Sequence, residues 1–200
     1  MLYLGCDPGL RGGFVLLDKH SRIISAWEMP KAVEPRAVFK LLLDVEEISL
    51  RVFEPVFFAI EKVITIPSDV VKIQDLVEKI KAAQDDKVRQ AAARDLSEAV
   101  KKRDGRVGVL AMGINFGVIL GAASGFGWKI MIVPPRTWQS QMWPGVLTKA
   151  SSKDRTFEVC KNLWPTFDFS LEGRHKKFHD GVTDAAAIAE YARRLYQATK

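Results

Sequence analysis

Cysteine is scarce in this chain: 200 residues hold only Cys6 and Cys160, far apart and in no CxxC spacing. That pattern excludes a disulfide framework and a cysteine-based zinc site, and makes a reducing compartment the default. No basic segment precedes an apolar core at the N-terminus, so no secretory signal is expected, and the expected location is the cytoplasm of a bacterial or phage-infected cell. Internal repeats and low-complexity tracts are absent. Residues 68–106 contain neither proline nor an aromatic, and residues 107–128 contain no charge at all. Each of these gaps marks a change of character along the chain.

What is present fits a globular protein. An apolar fraction of 48% and a charged fraction of 27% are ordinary for a soluble domain, and the length suits one domain with a sizeable core. The net charge of +6 is compatible with a nucleic-acid or anionic-membrane partner. Its distribution is more informative. Residues 1–67 carry 8 basic and 9 acidic side chains, 68–106 carry 10 and 8, and 129–200 carry 12 and 7. The excess is C-terminal, where phosphate contacts are expected.

The first eighteen residues organise the rest. Leu2-Tyr3-Leu4 and Phe14 to Leu17 are apolar runs separated by Gly and Pro residues, which predicts a hairpin. Arg22 to Trp27 supplies a third strand. Asp7 stands where the first strand ends, and reads either as a turn-capping residue or as a carboxylate held by a metal ion, since an unpaired buried carboxylate is costly. Val38, Leu41, Leu42, Val45 and Ile48 recur at spacings of three and four, predicting an amphipathic helix over 37–50. Val56 to Ile60 is a continuous β-prone run, as in a strand covered on both faces, and it ends in Glu61. Glu61 thus repeats the placement of Asp7.

The charge-dense segment 68–106 carries helical apolar stripes (Val70, Ile73, Val77, Ile80; Val88, Ala92, Leu96, Ala99), read as a helical insertion. Val107 to Trp128 is long enough to span a bilayer. Asn115, seven Gly or Ser positions and an immediate run into the strand-like Lys129 to Val133 favour a buried or dimer-interface helix instead. Gly113, Gly117, Gly121 and Gly125 recur every fourth residue and make a bare ridge that another helix or a sheet can approach. Ser151-Ser152 offers an N-cap for a helix bearing Lys153, Arg155 and an apolar face of Phe157, Val159, Cys160 and Leu163. The last helix is expected over 180–196.

Asp180 and Asp184 lie four apart on that last helix, so their carboxylates share a face. An acid also suits a helix N-terminus, which is the alternative reading of Asp180. Two strand-end acids and two acids on one helical face can hold two divalent metal ions. Mg²⁺ prefers oxygen ligands and substrate phosphates, and two such ions roughly 4 Å apart promote phosphodiester hydrolysis. A phosphatase could use the same four acids.

The order GCDPGLRGG, FFAIEKV, HDGVTDAAAIAEY closely resembles the RuvC family of Holliday-junction resolvases, within the RNase H-like superfamily. The resemblance spans nearly the whole chain and matches Asp7, Glu61 and Asp184 to the family's acids. It implies an α/β fold: an RNase H-like mixed five-stranded sheet flanked by helices, in a single nuclease domain over 1–200 with the charged helical insertion at 68–106. It implies a homodimeric endonuclease that nicks two strands of a four-way junction symmetrically, with two Mg²⁺ per active site and Mn²⁺ expected to substitute. No nucleotide cofactor and no membrane are implied. Family members place a fourth ligand three residues before the final Asp, which here is Gly181. Asp180, one residue earlier, resembles phage-type and organellar-type variants, with His179 as the rival ligand or general base. Lys153 fits the family's catalytic lysine, and Arg136, Lys153, Arg174, Lys176 and Lys177 fit phosphate contacts. A second lysine of the family falls at Gln139, and the aromatic that the family inserts into the junction falls near Ile64 and Thr65. Two other readings remain. An actin-like or sugar-kinase-type phosphotransferase also opens with strand, Asp and Gly-rich turn, but needs two such domains and a second phosphate loop. A non-catalytic junction-binding protein on the same fold would have no need of four acids.

Overall fold

The computed structural model describes residues 1–30, 34–63, 68–82, 85–101, 105–145, 151–171 and 178–199. Five strands form one sheet: β1 (Leu2–Asp7), β2 (Gly13–Leu17), β3 (Ile23–Glu28), β4 (Val56–Glu61) and β5 (Lys129–Val133), in the spatial order β3-β2-β1-β4-β5. The first three make the expected antiparallel meander, with Tyr3 opposite Leu17 and Asp7 opposite Gly13. β4 then returns parallel to β1, pairing Leu2 with Val56 and Cys6 with Ile60, and β5 lies parallel to β4. The sheet is therefore mixed, with β1 at its centre.

Alternation along the strands builds two cores. Leu2, Leu4, Cys6, Phe14, Leu16, Phe58 and Ile60 face one side. There they meet Val38, Leu41, Leu42 and Val45 of α1 (Pro35–Val52), the helix expected from the three-four spacing. Tyr3, Val15, Leu17, Phe57, Ala59 and Val133 face the other side. That side is covered by α5 (Pro135–Met142), α6 (Ser152–Leu163) and α7 (Asp180–Ala198). β4 contributes to both cores, which explains why its sequence shows no polar alternation.

α7 is the main cover of this second face. A Cβ built on Gly5 would lie 2.0 Å from the Ala185 carbonyl oxygen and 2.5 Å from the Ala189 nitrogen, so only glycine lets the helix come this close. At the helix start, Gly12 forms a parallel bridge with Gly181, and a Cβ on Gly181 would collide with the Gly12 backbone at 2.3 Å. Farther along, buried Glu190 accepts from Ser21 Oγ at 2.8 Å and from Arg193 and Arg194 at 2.7 Å. Burial alone would raise this carboxyl, but those donors more than offset it and hold it below the usual range.

The chain divides into two compact units, one of residues 1–63 and 114–200, the other of 64–113. In the second unit α2 (Ser68–Ala82) and α3 (Asp86–Lys101) pack against each other. α4 (Gly105–Gly125) begins in the second unit, and its residues from Ile114 onward belong to the first. In that portion Asn115, Ile119 and Ala123 are buried, whereas Ile114, Gly117, Gly121 and Gly125 are exposed. Beyond the adjoining backbone of the helix itself, no described atom lies within 4 Å of a Cβ built on Gly113, Gly117, Gly121 or Gly125. The expected ridge is present, and no described residue of this chain packs on it. No helix searched among the described residues is long and apolar enough to cross a membrane.

Candidate active site at the strand ends

β1 and β4 are parallel neighbours whose last registered pair is Cys6 with Ile60. Asp7 and Glu61 follow that pair by one residue, at the same carboxyl edge of the sheet. By alternation they share the face of Tyr3 and Phe57, the face α7 covers. Carboxyl ends of parallel strands are where open α/β sheets commonly bind ligands.

Asp7 unites both of its readings. Its Oδ1 accepts from the Gly9 backbone N–H at 2.9 Å, an Asx-turn that closes the loop after β1. Burial raises its carboxyl above the usual range, the Gly9 hydrogen bond lowers it, and Asp180 raises it further. Capping and electrostatic contact with the other acids therefore coexist in one side chain. Glu61 Oε1 accepts from the Trp138 indole N–H at 2.9 Å. Burial, with a smaller push from Asp7, raises Glu61 to about 7 against the pull of that indole.

Asp184 sits one turn into α7, immediately before the buried Ala185 to Ala187. Burial, then Asp7, Glu61 and Asp180, raise it to about 8, while the Thr156 hydroxyl lowers it. Asp180 occupies the first helical position and forms an ion pair with Lys153 from α6. Asp7 thus acts on Glu61 and Asp184, Glu61 on Asp184, and Asp180 on Asp7 and Asp184. Among the described residues searched, no three His, Cys, Asp or Glu side chains converge tightly enough to form a ready-made coordination cluster.

His179 is the N-cap of α7: its Nδ1 accepts from the Val182 N–H at 3.2 Å. Its Nε2 lies 3.9 Å from Glu28 Oε2, at the edge strand β3. Arg136 is exposed in the first turn of α5, which starts beside the Val133–Glu61 pair. Arg174, Lys176 and Lys177 fall outside the described residues, as do Ile64 and Thr65.

Three side chains at this edge were not singled out from the sequence as functional. Trp138 and Thr156 touch the acids, and Arg11 lines a small cavity of about 80 Å³ with Phe178, His179 and Asp180. The available signal for Trp138 is generic: a buried indole N–H must find an acceptor.

The donor set fits hard divalent cations. All four groups are carboxylates, and carboxylate oxygens suit Mg²⁺ or Mn²⁺. Burial first, and repulsion from neighbouring acids after it, raise Asp7, Glu61 and Asp184, and a bound cation would offset both.

No protein-family model matches this chain, and no curated protein matches it in sequence. Solved structures do match in fold. RuvC from Thermus thermophilus in complex with a Holliday junction substrate aligns with a TM-score of 0.53 at 14% identity, covering 100% of this chain and 96% of that one. A second structure of Thermus thermophilus RuvC aligns with a TM-score of 0.52 at 16% identity, with the same coverage. At such identities the likeness is one of fold: an α/β, RuvC-like arrangement on an RNase H-like sheet.

Proposed function

We propose that this protein is a divalent-metal-dependent endonuclease for branched DNA, resolving four-way junctions by paired symmetric nicks as a homodimer. One observation carries the reading. Asp7 and Glu61 end adjacent parallel strands and Asp184 lies on the helix packed over them, so three largely buried carboxylates share one site; burial raises all three, Asp7 adds to Glu61, and Asp7 and Glu61 add to Asp184. Asp180 joins them from the helix start, as in phage-type or organellar-type members of the resembled family, and His179 is engaged in capping.

Mg²⁺ or Mn²⁺ held there would supply charge neutralisation at a phosphodiester and a nucleophile at neutral pH. The chain's own contribution is orientation. The Asx-turn fixes Asp7, the Trp138 indole holds Glu61, and the close seat of α7 on Gly5 sets the height of Asp184. Lys153, paired with Asp180, is placed to meet a phosphate oxygen once that pairing is relieved. Arg136 and the basic stretch at Arg174, Lys176 and Lys177 would add backbone contacts, so affinity should fall steeply with salt.

The dimer is assigned to the uncharged exposed side of α4. Gly117 and Gly121 line an open groove there with Pro35, Arg36, Phe39, Val118 and Ala122. Segment 68–106 is read as an insertion in this nuclease.

The test is incubation with a mobile four-way junction, a replication fork and linear duplex, with and without Mg²⁺. Metal-dependent paired nicking of the junction is expected, and Asp7→Asn should abolish it while retaining junction binding. Full cleavage by Asp7→Asn would overturn the assignment. Junction binding without cleavage at any metal concentration would identify a non-catalytic binder.

A further inference from the structure

Trp138 is the largest fully buried side chain among the described residues. It lies on α5, yet its indole N–H ends on a carboxylate of β4 rather than on a backbone carbonyl. The choice of donor matters. A Lys or Arg at this place would neutralise Glu61 and compete with a cation. An indole N–H carries no net charge and does not ionise in the physiological range, so it fixes one oxygen and leaves the negative charge in place.

The same element is linked to a second acid through α6. Trp143, the C-cap of α5, meets Trp138 edge to face with centroids 6.2 Å apart. Its indole N–H donates to Thr156 Oγ1 at 3.3 Å. Thr156 is buried, donates to the Ser152 carbonyl at 3.1 Å, and contacts Asp184. The Trp143 donation occupies a lone pair of that hydroxyl and so fixes Thr156 beside Asp184.

We propose that Trp138 is a positioning residue for Glu61, holding Oε1 so that Oε2 is the oxygen offered to a divalent cation, with Trp143 of the same helix steadying Asp184 through Thr156 of α6. This rests on the endonuclease reading above. Donors behind a ligating carboxylate typically matter about 10- to 100-fold in metal affinity.

The experiment is equilibrium Mn²⁺ binding without DNA, for the wild-type protein, Trp138→Phe and Trp164→Phe. Trp164 is the control: it is also buried, and its indole N–H donates to the Ser21 carbonyl, away from the acids. Trp138→Phe should bind Mn²⁺ about tenfold more weakly, and Trp164→Phe as the wild type does. Junction binding in EDTA should be equal for all three. Wild-type affinity in Trp138→Phe, or an equal loss in Trp164→Phe, would overturn the positioning role and leave the nuclease reading intact. A wild-type protein that binds no Mn²⁺ would overturn both. Should Trp138→Phe not fold, ¹⁵N-indole spectra of the wild type decide. An exchange-protected indole N–H should shift on Mg²⁺ addition, and absence of such a shift would refute the role.

Discussion

A carboxyl that burial pushes to about 7 at Glu61, or about 8 at Asp184, keeps its proton at pH values where the unfolded chain has released it. The folded state then binds more protons than the unfolded state, so stability declines as pH rises from the ordinary carboxyl range through those raised values. Without metal, the melting temperature should drop by about 5 °C or more between pH 6 and pH 9. Mg²⁺ should restore it at pH 9, because a ligand of the folded state stabilises by mass action. Thermal melts in EDTA and in Mg²⁺ at both values check this, and a flat profile in EDTA would contradict the burial of these acids. At this scale the sequence was partly legible. Asp7 and Glu61 stand out because each ends an apolar run, and Asp184 because alanines follow it. The tie from Trp138 to Glu61 spans 77 residues and was hidden, since no local pattern records which acceptor a buried indole finds. Asp7 posed a different difficulty: turn-capping and site membership read as alternatives, yet the carboxylate that accepts the Gly9 N–H also feels Asp180 and Lys153.

Helix α7 joins the site to the centre of the sheet, and its position depends on a residue without a side chain. Gly5→Ala would place a methyl group 2.0 Å from the Ala185 carbonyl oxygen. Backbone cannot yield as a flexible side chain does, so the expected cost is about 3 kcal/mol. Mn²⁺ affinity should fall as well, because Asp184 lies next to the displaced turn. Urea unfolding paired with metal titration measures the two effects on one sample. The helix itself was readable from its apolar face, as α1 was from its three-four spacing. The need for glycine at position 5 was not, because the colliding atoms come from 180 residues away in sequence.

For the whole molecule, the strands were visible in the chain through three features: a hairpin with a third strand, a doubly buried fourth strand and a fifth after the long uncharged helix. The order β3-β2-β1-β4-β5, with β4 returning parallel beside β1, was not. The apolar character of α4 was also legible, but which side meets its own sheet was not, since glycines every fourth residue suit either a buried or an open face. The structure buries Asn115, Ile119 and Ala123 and leaves Gly117 and Gly121 open. If that open side is the proposed dimer contact, Gly121→Arg should yield a monomer by light scattering without a matching loss of thermal stability. A variant that stays dimeric would move the contact elsewhere.

The seat of α7 has a mechanical consequence. A helix that slips by one residue advances about 1.5 Å and turns by about 100°, so Asp180 and Asp184 cannot be adjusted separately against the strands. They travel as one rigid lever. The steric stop formed by Gly5 against Ala185 and Ala189, with Gly12 against Gly181 at the other end, removes the sliding coordinate of that lever. Substitutions on the outer side of α7 are therefore free to drift, whereas any change at the stop is transmitted to both acids at once.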